Sequence, residues 1–143
     1  MKNLKTILLT GMTGVLGKRF AYRLAKIGYH VICPIRAGSE KEAQTRFEQI
    51  FMGLRELQPE FDESLIKQFL PVPGDVREKR LGISPSLIQS LENSKISEVW
   101  HLAALLDLTE TRSQDVYATN LVGTLNILDF AAPVFVSSPP ANI

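Results

Sequence analysis

Residues 10–17 read TGMTGVLG and lie directly between an apolar run and a helical pattern. The preceding run, TILLT at residues 6–10, is β-branched and apolar, which predicts a short strand. Phe20, Leu24 and Ile27 follow at helix spacing. The turn between the predicted strand and helix would bring together backbone amides and the positive end of the helix dipole, and its glycines carry no side chain. The stretch therefore predicts an anion site at the start of the first helix.

The three glycines of this turn have separate expected tasks. Gly11 would allow a tight turn, Gly14 would let a pyrophosphate approach the backbone, and Gly17 would let the helix pack on the strand. Their spacing is G-x-x-G-x-x-G, which differs from the G-x-G-x-x-G of many dinucleotide-binding proteins. The alternative is a tight strand-to-helix turn without a ligand, although such a turn seldom needs three glycines.

Alternation of strands and helices continues along the chain. We predict strands at 30–35, 68–73, 97–104 and 134–136, and helices at 40–57, 84–91 and 111–131. With the first strand this gives about five parallel strands with helices on both faces, a Rossmann-type doubly wound α/β fold. One domain is expected over 1–143, since domains usually run to roughly 100 to 200 residues.

Composition excludes several classes of function. Sixteen basic and fifteen acidic side chains leave a net charge of +1, which provides no broad field for nucleic acid or an anionic membrane. The single cysteine, Cys33, supports neither an internal disulfide nor a zinc cluster, and no metal site is predicted. Without a signal-peptide core or a membrane span, a reducing, cytoplasmic setting is expected. A homo-oligomer is possible, because the last strand could leave an uncovered edge.

Arg36 follows the second strand, at the position that indicates which dinucleotide is bound. An acidic residue there would accept the ribose 2′-hydroxyl of NAD, whereas an arginine favours the 2′-phosphate of NADP. Ser39 could add a hydroxyl donor, and Arg46 could fold back from the next helix toward the same phosphate. The alternative for Arg36 is a solvated loop arginine, and the same alternative is stronger for Arg46.

Two further strand ends supply candidate residues. Gly74-Asp75-Val76 follows the third strand, where a carboxylate can accept a hydrogen bond from an adenine amino group, although a Gly-Asp turn explains the pair equally well. Leu102, Ala103 and Ala104 follow His101 in the fourth strand, and they would let the backbone run beneath a cofactor. His101 itself is interpreted as a packed strand residue.

These motifs together resemble the extended short-chain dehydrogenases. Within that superfamily the sequence is most similar to the NAD-binding domains of NADPH-dependent thioester reductases and male-sterility-type fatty acyl reductases, with the epimerase and dehydratase branch next. The resemblance rests on Thr10-Gly11-x-Thr13-Gly14-x-Leu16-Gly17, Arg36-Ala37, Gly74-Asp75, Leu81-Gly82-Ile83-Ser84, His101-x-Ala103-Ala104 and Asn120-x-x-Gly123-Thr124.

The resemblance implies an NADP(H)-binding domain of a reductase that transfers hydride from NADPH to an acyl thioester or related carbonyl. It implies that Asn120 supports the active site and that Ser138 matches the catalytic Ser/Thr after the fifth strand. Ser137 or Ser138 could also be the polar end of a strand. The implied cofactor-binding residues are Thr10, Gly11, Thr13, Gly14, Val15, Leu16, Gly17, Arg36, Ser39, Arg46, Asp75, Val76, Leu102, Ala103, Ala104 and Asn120.

One departure from the family concerns catalysis. Its members use a tyrosine and a lysine four residues apart, but here no tyrosine follows Tyr117 and no lysine follows Lys95. Hydride transfer to a carbonyl needs a general acid, so the 143 residues are expected to be inactive alone. The alternatives are a fragment of a sugar epimerase or dehydratase, and a non-catalytic NADP-binding module.

Overall fold

The computed structural model describes residues 5–58, 60–109 and 111–136. Four parallel strands form one sheet in the order β3-β2-β1-β4. The strands are β1 (Thr6–Thr10), β2 (His30–Ile35), β3 (Phe69–Pro73) and β4 (Ile96–His101). Because all four strands are parallel, their carboxyl ends lie along one edge of the sheet. That edge is where a ligand is expected in an open α/β fold.

The first strand-helix-strand unit forms as the glycine pattern predicts. Helix α1 (Val15–Lys26) follows the glycine turn, and β1 pairs with β2 from Thr6↔His30 to Leu8↔Ile32. The helix ends before Gly28, whose φ of 100° lies in the left-handed region that glycine adopts most easily. The chain then turns back at once into the central part of the sheet.

Helix α2 (Glu40–Leu57) has the bounds that the sequence predicts. Its N-cap is Ser39, whose hydroxyl oxygen accepts a hydrogen bond from the Glu42 amide at 3.2 Å. The apolar face of the helix buries Ala43, Phe47, Phe51 and Leu54. Ile50, beside Phe51 on this face, is only partly buried.

The segment between β2 and β4 contains two 3₁₀ helices, Glu63–Gln68 and Lys79–Gly82, and helix α3 (Pro85–Asn93). Ser84 caps α3 by accepting from the Leu87 amide, with Pro85 in the first turn. Strand β3 begins at Phe69 and pairs with β2 through Ile35↔Pro73.

Two separate apolar clusters cover the two faces of the sheet. One contains Ile7 and Leu9 of β1 with buried residues of α1 and α2. The other contains Leu8 of β1 with buried residues of α3 and the C-terminal helix. Alternate residues of β1 thus face opposite sides, and helices cover both, which confirms the doubly wound architecture.

The predicted fifth strand is wrong. A helical stretch runs from α4 (Ser113–Tyr117) through a single π-helical turn (Ala118–Val122) into α5 (Gly123–Val136), so residues 134–136 are helical. Only Ala132 and Pro133 separate the predicted helix from the predicted strand, which is the lower end of the two to six residues that such a connection usually takes. The helix instead continues through both residues to Val136. None of the helices described has both the length and the apolar character needed to cross a bilayer.

Candidate functional site

A cavity of about 390 Å³ opens at the carboxyl ends of the strands. Its walls come from the loops that follow all four strands, together with the start of α4. The lining residues are Thr10, Gly11, Thr13, Gly14, Pro34, Ile35, Arg36, Arg46, Gly74, Asp75, Val76, Arg77, Leu102, Ala103, Ala104, Leu105, Arg112, Asp115 and Thr119. Most of the residues implicated by the sequence therefore lie around one space.

Two of the three glycines are required by the packing of the protein itself. Gly11 has a φ of 81°, and a Cβ atom there would lie 2.5 Å from the Ala103 amide nitrogen. A Cβ atom on Gly17 would lie 2.0 Å from the carbonyl oxygen of Gly11. Both distances are far below contact, so a side chain would force the glycine loop away from its neighbours.

Gly14 differs from the other two glycines. A Cβ atom there would meet only the Gly11 carbonyl oxygen, at the ordinary contact distance of 3.4 Å. Gly14 is the N-cap of α1, and no side chain among the described residues caps the start of that helix. The internal structure thus tolerates a side chain at Gly14. The backbone amides at the start of α1, next to Gly14, remain available to an anion.

Val15 and Leu16 contribute differently from the glycines. Their side chains are 72% and 68% exposed and do not line the cavity. Any contact they make with a ligand there would come from their backbone amides at the start of α1. Thr13, in contrast, lines the cavity directly.

Arg36 and Arg46 both line the cavity, and the side chain of Arg46 contacts the backbone of Arg36. Nη1 of Arg46 donates to the carbonyl oxygen of Arg36 at 2.6 Å, and its Nη2 lies 3.0 Å from Oε1 of Glu42. Arg46, the seventh residue of α2, therefore folds back across almost two helical turns, as one of the two sequence interpretations expects. Ser39 does not line the cavity, because its side chain caps α2.

Asp75 is held by its neighbour Arg77. Its Oδ2 accepts from Nη2 of Arg77 at 2.6 Å, and its Oδ1 accepts from the Arg77 backbone amide at 2.9 Å. The hydrogen bonds from Arg77 hold the pKa of the Asp75 carboxyl below its ordinary value, with a smaller contribution from the charge of Arg36. A carboxylate at this position stays ionised and can still accept from a ligand, since it has about four lone-pair sites. Val76 lines the wall beside it.

The loop after β4 forms the opposite wall. Strand β4 ends at His101, three residues earlier than predicted, and residues 102–105 line the cavity. Asn120 holds this loop from below: its Oδ1 accepts from the Leu105 amide at 2.8 Å, and its Nδ2 donates to the Leu105 carbonyl at 2.9 Å. Asn120 itself does not line the cavity. Ser138 lies outside the described residues.

The sequence analysis missed four polar side chains of the cavity lining: Arg77, Arg112, Asp115 and Thr119. Nε of Arg112 lies 3.1 Å from Oδ2 of Asp115, so each of the two unpredicted arginines is paired with an aspartate. Arg77 follows the Gly74-Asp75 pair by two residues, a signal that could have been used. Arg112 and Asp115 carry no comparable signal, because only the start of α4 brings them to this wall.

The arrangement is suited to binding a multiply charged anion. Four arginines and two aspartates line the cavity, while tyrosine and lysine are absent from its described lining. No group of His, Cys, Asp and Glu within the described residues could hold a metal ion. Binding of a phosphorylated ligand is thus the chemistry that these side chains support, and no described side chain in the wall matches the tyrosine-lysine pair expected for proton transfer.

Comparison with known proteins gives consistent results. The model of the family described as Male sterility protein matches residues 9–138. The chain is 31% identical over 138 residues to probable fatty acyl-CoA reductase 5 of Arabidopsis thaliana, covering 89% of this chain and 28% of that protein. This chain therefore spans less than a third of the length of that relative.

Solved structures share the fold. The terminal R domain from the myxalamid PKS-NRPS biosynthetic pathway is 31% identical, with a TM-score of 0.74 over 90% of this chain and 32% of that one. ElxO with NADP bound has a TM-score of 0.64 and 22% identity over 91% of this chain and 50% of its own, a likeness of fold alone.

Proposed function

Since this chain belongs to the Male sterility protein family, we propose that it is the NADP(H)-binding part of a reductase, with the dinucleotide in the cavity at the carboxyl ends of the strands. The observation that carries the proposal is the combination of a helix start at Gly14 that has no side-chain cap with two arginines, Arg36 and Arg46, that line the same cavity. The first suits a pyrophosphate and the second suits an additional phosphate. NAD lacks that additional phosphate, so the pair favours NADP.

The pyrophosphate would bind at the first turn of α1. Gly14 leaves the approach open, and the amides of Val15 and Leu16 follow it in the helix. Gly11 and Gly17 keep this turn in place through their own packing. The partial positive charge of the 12-residue helix adds to the attraction for the anion.

The 2′-phosphate would bind between the guanidinium groups of Arg36 and Arg46. Arg46 already forms an ion pair with Glu42, which partly neutralises its charge. Arg36 is therefore expected to contribute more to NADPH affinity. The adenine would lie near Asp75 and Val76, with Ala103 and Ala104 beneath the cofactor.

A titration tests the site directly. In the parent chain NADPH is expected to bind measurably by isothermal calorimetry. Gly14→Val should remain folded, because the protein leaves room there, yet it should lose NADPH affinity by on the order of a hundredfold as the branched side chain blocks charge-assisted hydrogen bonds to the pyrophosphate.

Gly53→Val is the matched control, because a Cβ atom on Gly53 would have no other atom within 4 Å and Gly53 does not line the cavity. It should bind NADPH as the parent does. If the folded Gly14→Val variant also binds like the parent, the pyrophosphate does not lie at this turn and the assignment is wrong.

The reaction of the whole protein is proposed to be reduction of an acyl thioester or related carbonyl. Two findings support it: the family to which the chain belongs, and the fatty acyl-CoA reductase and R-domain relatives. When bound, NADPH would supply the hydride. The residues of this chain would bind and orient the cofactor, while Asn120 would hold the wall formed by residues 102–105.

These 143 residues are nevertheless expected to be inactive alone, because no tyrosine follows Tyr117 and no lysine follows Lys95. Mixed with NADPH and an acyl thioester, the purified chain should cause no loss of absorbance at 340 nm above the uncatalysed rate. Robust oxidation of NADPH would contradict this and would point to a different general acid.

Two alternative functions are distinguished by cofactor preference and by the sequence that follows. An NAD-linked epimerase or dehydratase fragment would bind NADH at least as well as NADPH, whereas the Arg36–Arg46 pair favours the reverse order. A non-catalytic NADP-binding module would show the same cofactor preference as the reductase. It would differ in lacking a downstream Tyr-x-x-x-Lys sequence in its natural reading frame.

A further inference from the structure

His101 lies between two threonines from different elements of the fold. Its Nδ1 is 2.6 Å from the hydroxyl oxygen of Thr10 at the end of β1, and its Nε2 is 3.3 Å from the hydroxyl oxygen of Thr124 on α5. Thr10 is almost completely buried and the imidazole is half-buried. The interpretation of His101 as a packed strand residue did not anticipate these two hydrogen bonds.

The surrounding groups allow one assignment of the protons. The hydroxyl of Thr124 is 2.6 Å from the carbonyl oxygen of Asn120, which can only accept, so Thr124 donates to it. The oxygen of Thr124 is then free to accept from Nε2–H of His101. A neutral imidazole has one N–H, so its Nδ1 is an acceptor and receives the hydroxyl proton of Thr10.

The same assignment completes the network at the cavity wall. The hydroxyl oxygen of Thr10, having donated its proton to His101, accepts from the Ala103 amide at 3.4 Å. Burial lowers the pKa of His101 below its ordinary value, which favours the neutral ring. No charged side chain among the described residues contributes to that lowering.

We propose that His101, held as the neutral Nε2–H tautomer, is a positioning residue that fixes the two backbone segments between which the dinucleotide binds. One segment is the glycine turn, which begins next to Thr10. The other is the wall formed by residues 102–105, which Thr10 holds at Ala103 and Asn120 holds at Leu105. This proposal rests on the proposed function, because the positioning concerns the NADPH site.

The glycine turn and the wall formed by residues 102–105 are closely packed where they meet. Modest displacement of either would change the cavity, since a Cβ atom on Gly11 would already lie 2.5 Å from the Ala103 amide nitrogen. Thr124 does not line the cavity and cannot contact a ligand there directly. An effect of Thr124 on cofactor affinity would therefore have to pass through His101 or Asn120.

The test combines imidazole NMR with NADPH titration on the full chain. The ¹⁵N shifts of His101, assigned against the second histidine His30, are expected to show the Nε2–H tautomer in the parent. Thr124→Val removes the acceptor for Nε2–H while keeping the shape of the side chain. It should produce a mixture of tautomers and weaken NADPH binding about three- to tenfold. Thr124→Ser restores the hydroxyl. It should recover the Nε2–H tautomer and an NADPH affinity within about twofold of that of the parent.

Each outcome bears on the proposal. An Nδ1–H tautomer in the parent, or unchanged NADPH affinity in a folded Thr124→Val variant, would overturn it. So would an affinity loss in Thr124→Val that Thr124→Ser fails to recover, because that loss would be merely structural. Failure of the proposed function would look different, since the parent itself would then bind no NADPH.

Discussion

Replacing Gly17 with alanine is expected to destabilise the fold by about 3 kcal/mol or more, at the upper end of the cost of inserting a methyl group into a packed site. The added Cβ atom would lie 2.0 Å from the Gly11 carbonyl oxygen and 2.7 Å from the carbonyl carbon of the same residue. Both are backbone atoms, so no side-chain rotation can relieve the clash. Thermal unfolding followed by circular dichroism should show the transition of Gly17→Ala lowered by on the order of 10 °C.

Gly53→Ala is the matched control for this measurement. Gly53 lies within α2, and a Cβ atom there would have no other atom within 4 Å. Alanine should therefore stabilise the helix, by about 0.5 to 1 kcal/mol. A Gly17→Ala variant with the thermal stability of the parent would show that the glycine turn does not pack against α1 as described.

Local signals explain what the sequence could predict about the fold. The bounds of α2 were predicted from apolar residues at helix spacing, which are readable over a single stretch, whereas Ser39 was assigned to the phosphate and proves to be the N-cap. The glycine turn is equally local, because its conformation depends on residues that are adjacent in sequence. In such segments the local preference and the tertiary structure agree.

The prediction of a fifth strand was wrong because the apolar run on which it rested is only three residues long. Three apolar residues fit a strand and a buried helix equally well, and only their position after an uninterrupted helical stripe distinguishes the two. The helix continues through Pro133 to Val136. The π-helical turn at Ala118–Val122 was not predictable either, because an extra residue in a helical turn leaves no periodic signature.

The candidate site was predictable where it follows a strand. Arg36, Asp75 and residues 102–104 were found because parallel strands bring their carboxyl ends to one edge. Arg112 and Asp115 were missed because they reach the cavity through the start of α4, whose position depends on packing. The ion pair of Asp75 with Arg77 and the hydrogen bonds of His101 likewise depend on side-chain geometry that spacing does not encode.

Arg36→Asp is expected to reverse the cofactor preference of the chain. The proposed charge-assisted hydrogen bond from Arg36 to the 2′-phosphate would contribute on the order of 1.5 to 3 kcal/mol in the parent, which corresponds to a roughly ten- to hundredfold preference for NADPH over NADH. Since Arg36 is exposed, solvent screening favours the lower part of this range. An aspartate there would repel the phosphate and could accept from the ribose hydroxyl of NADH.

The geometry of Arg46 provides the control for this variant. Arg46 donates to the carbonyl oxygen of Arg36, a backbone atom that remains after substitution. Arg36→Gln should therefore lower NADPH affinity without improving NADH binding, because it removes the charge but adds no carboxylate. Arg46→Gln should have a smaller effect than Arg36→Gln, since Arg46 already shares its charge with Glu42.

Titration of both cofactors at two ionic strengths measures the electrostatic part of this preference. Added salt should weaken NADPH binding more than NADH binding in the parent, because only NADPH carries the extra phosphate charge that salt screens. In Arg36→Asp that difference should shrink or change sign. Equal affinities for the two cofactors in the parent, or an unchanged ratio in Arg36→Asp, would remove Arg36 from the site and would favour an NAD-linked relative of the epimerases instead.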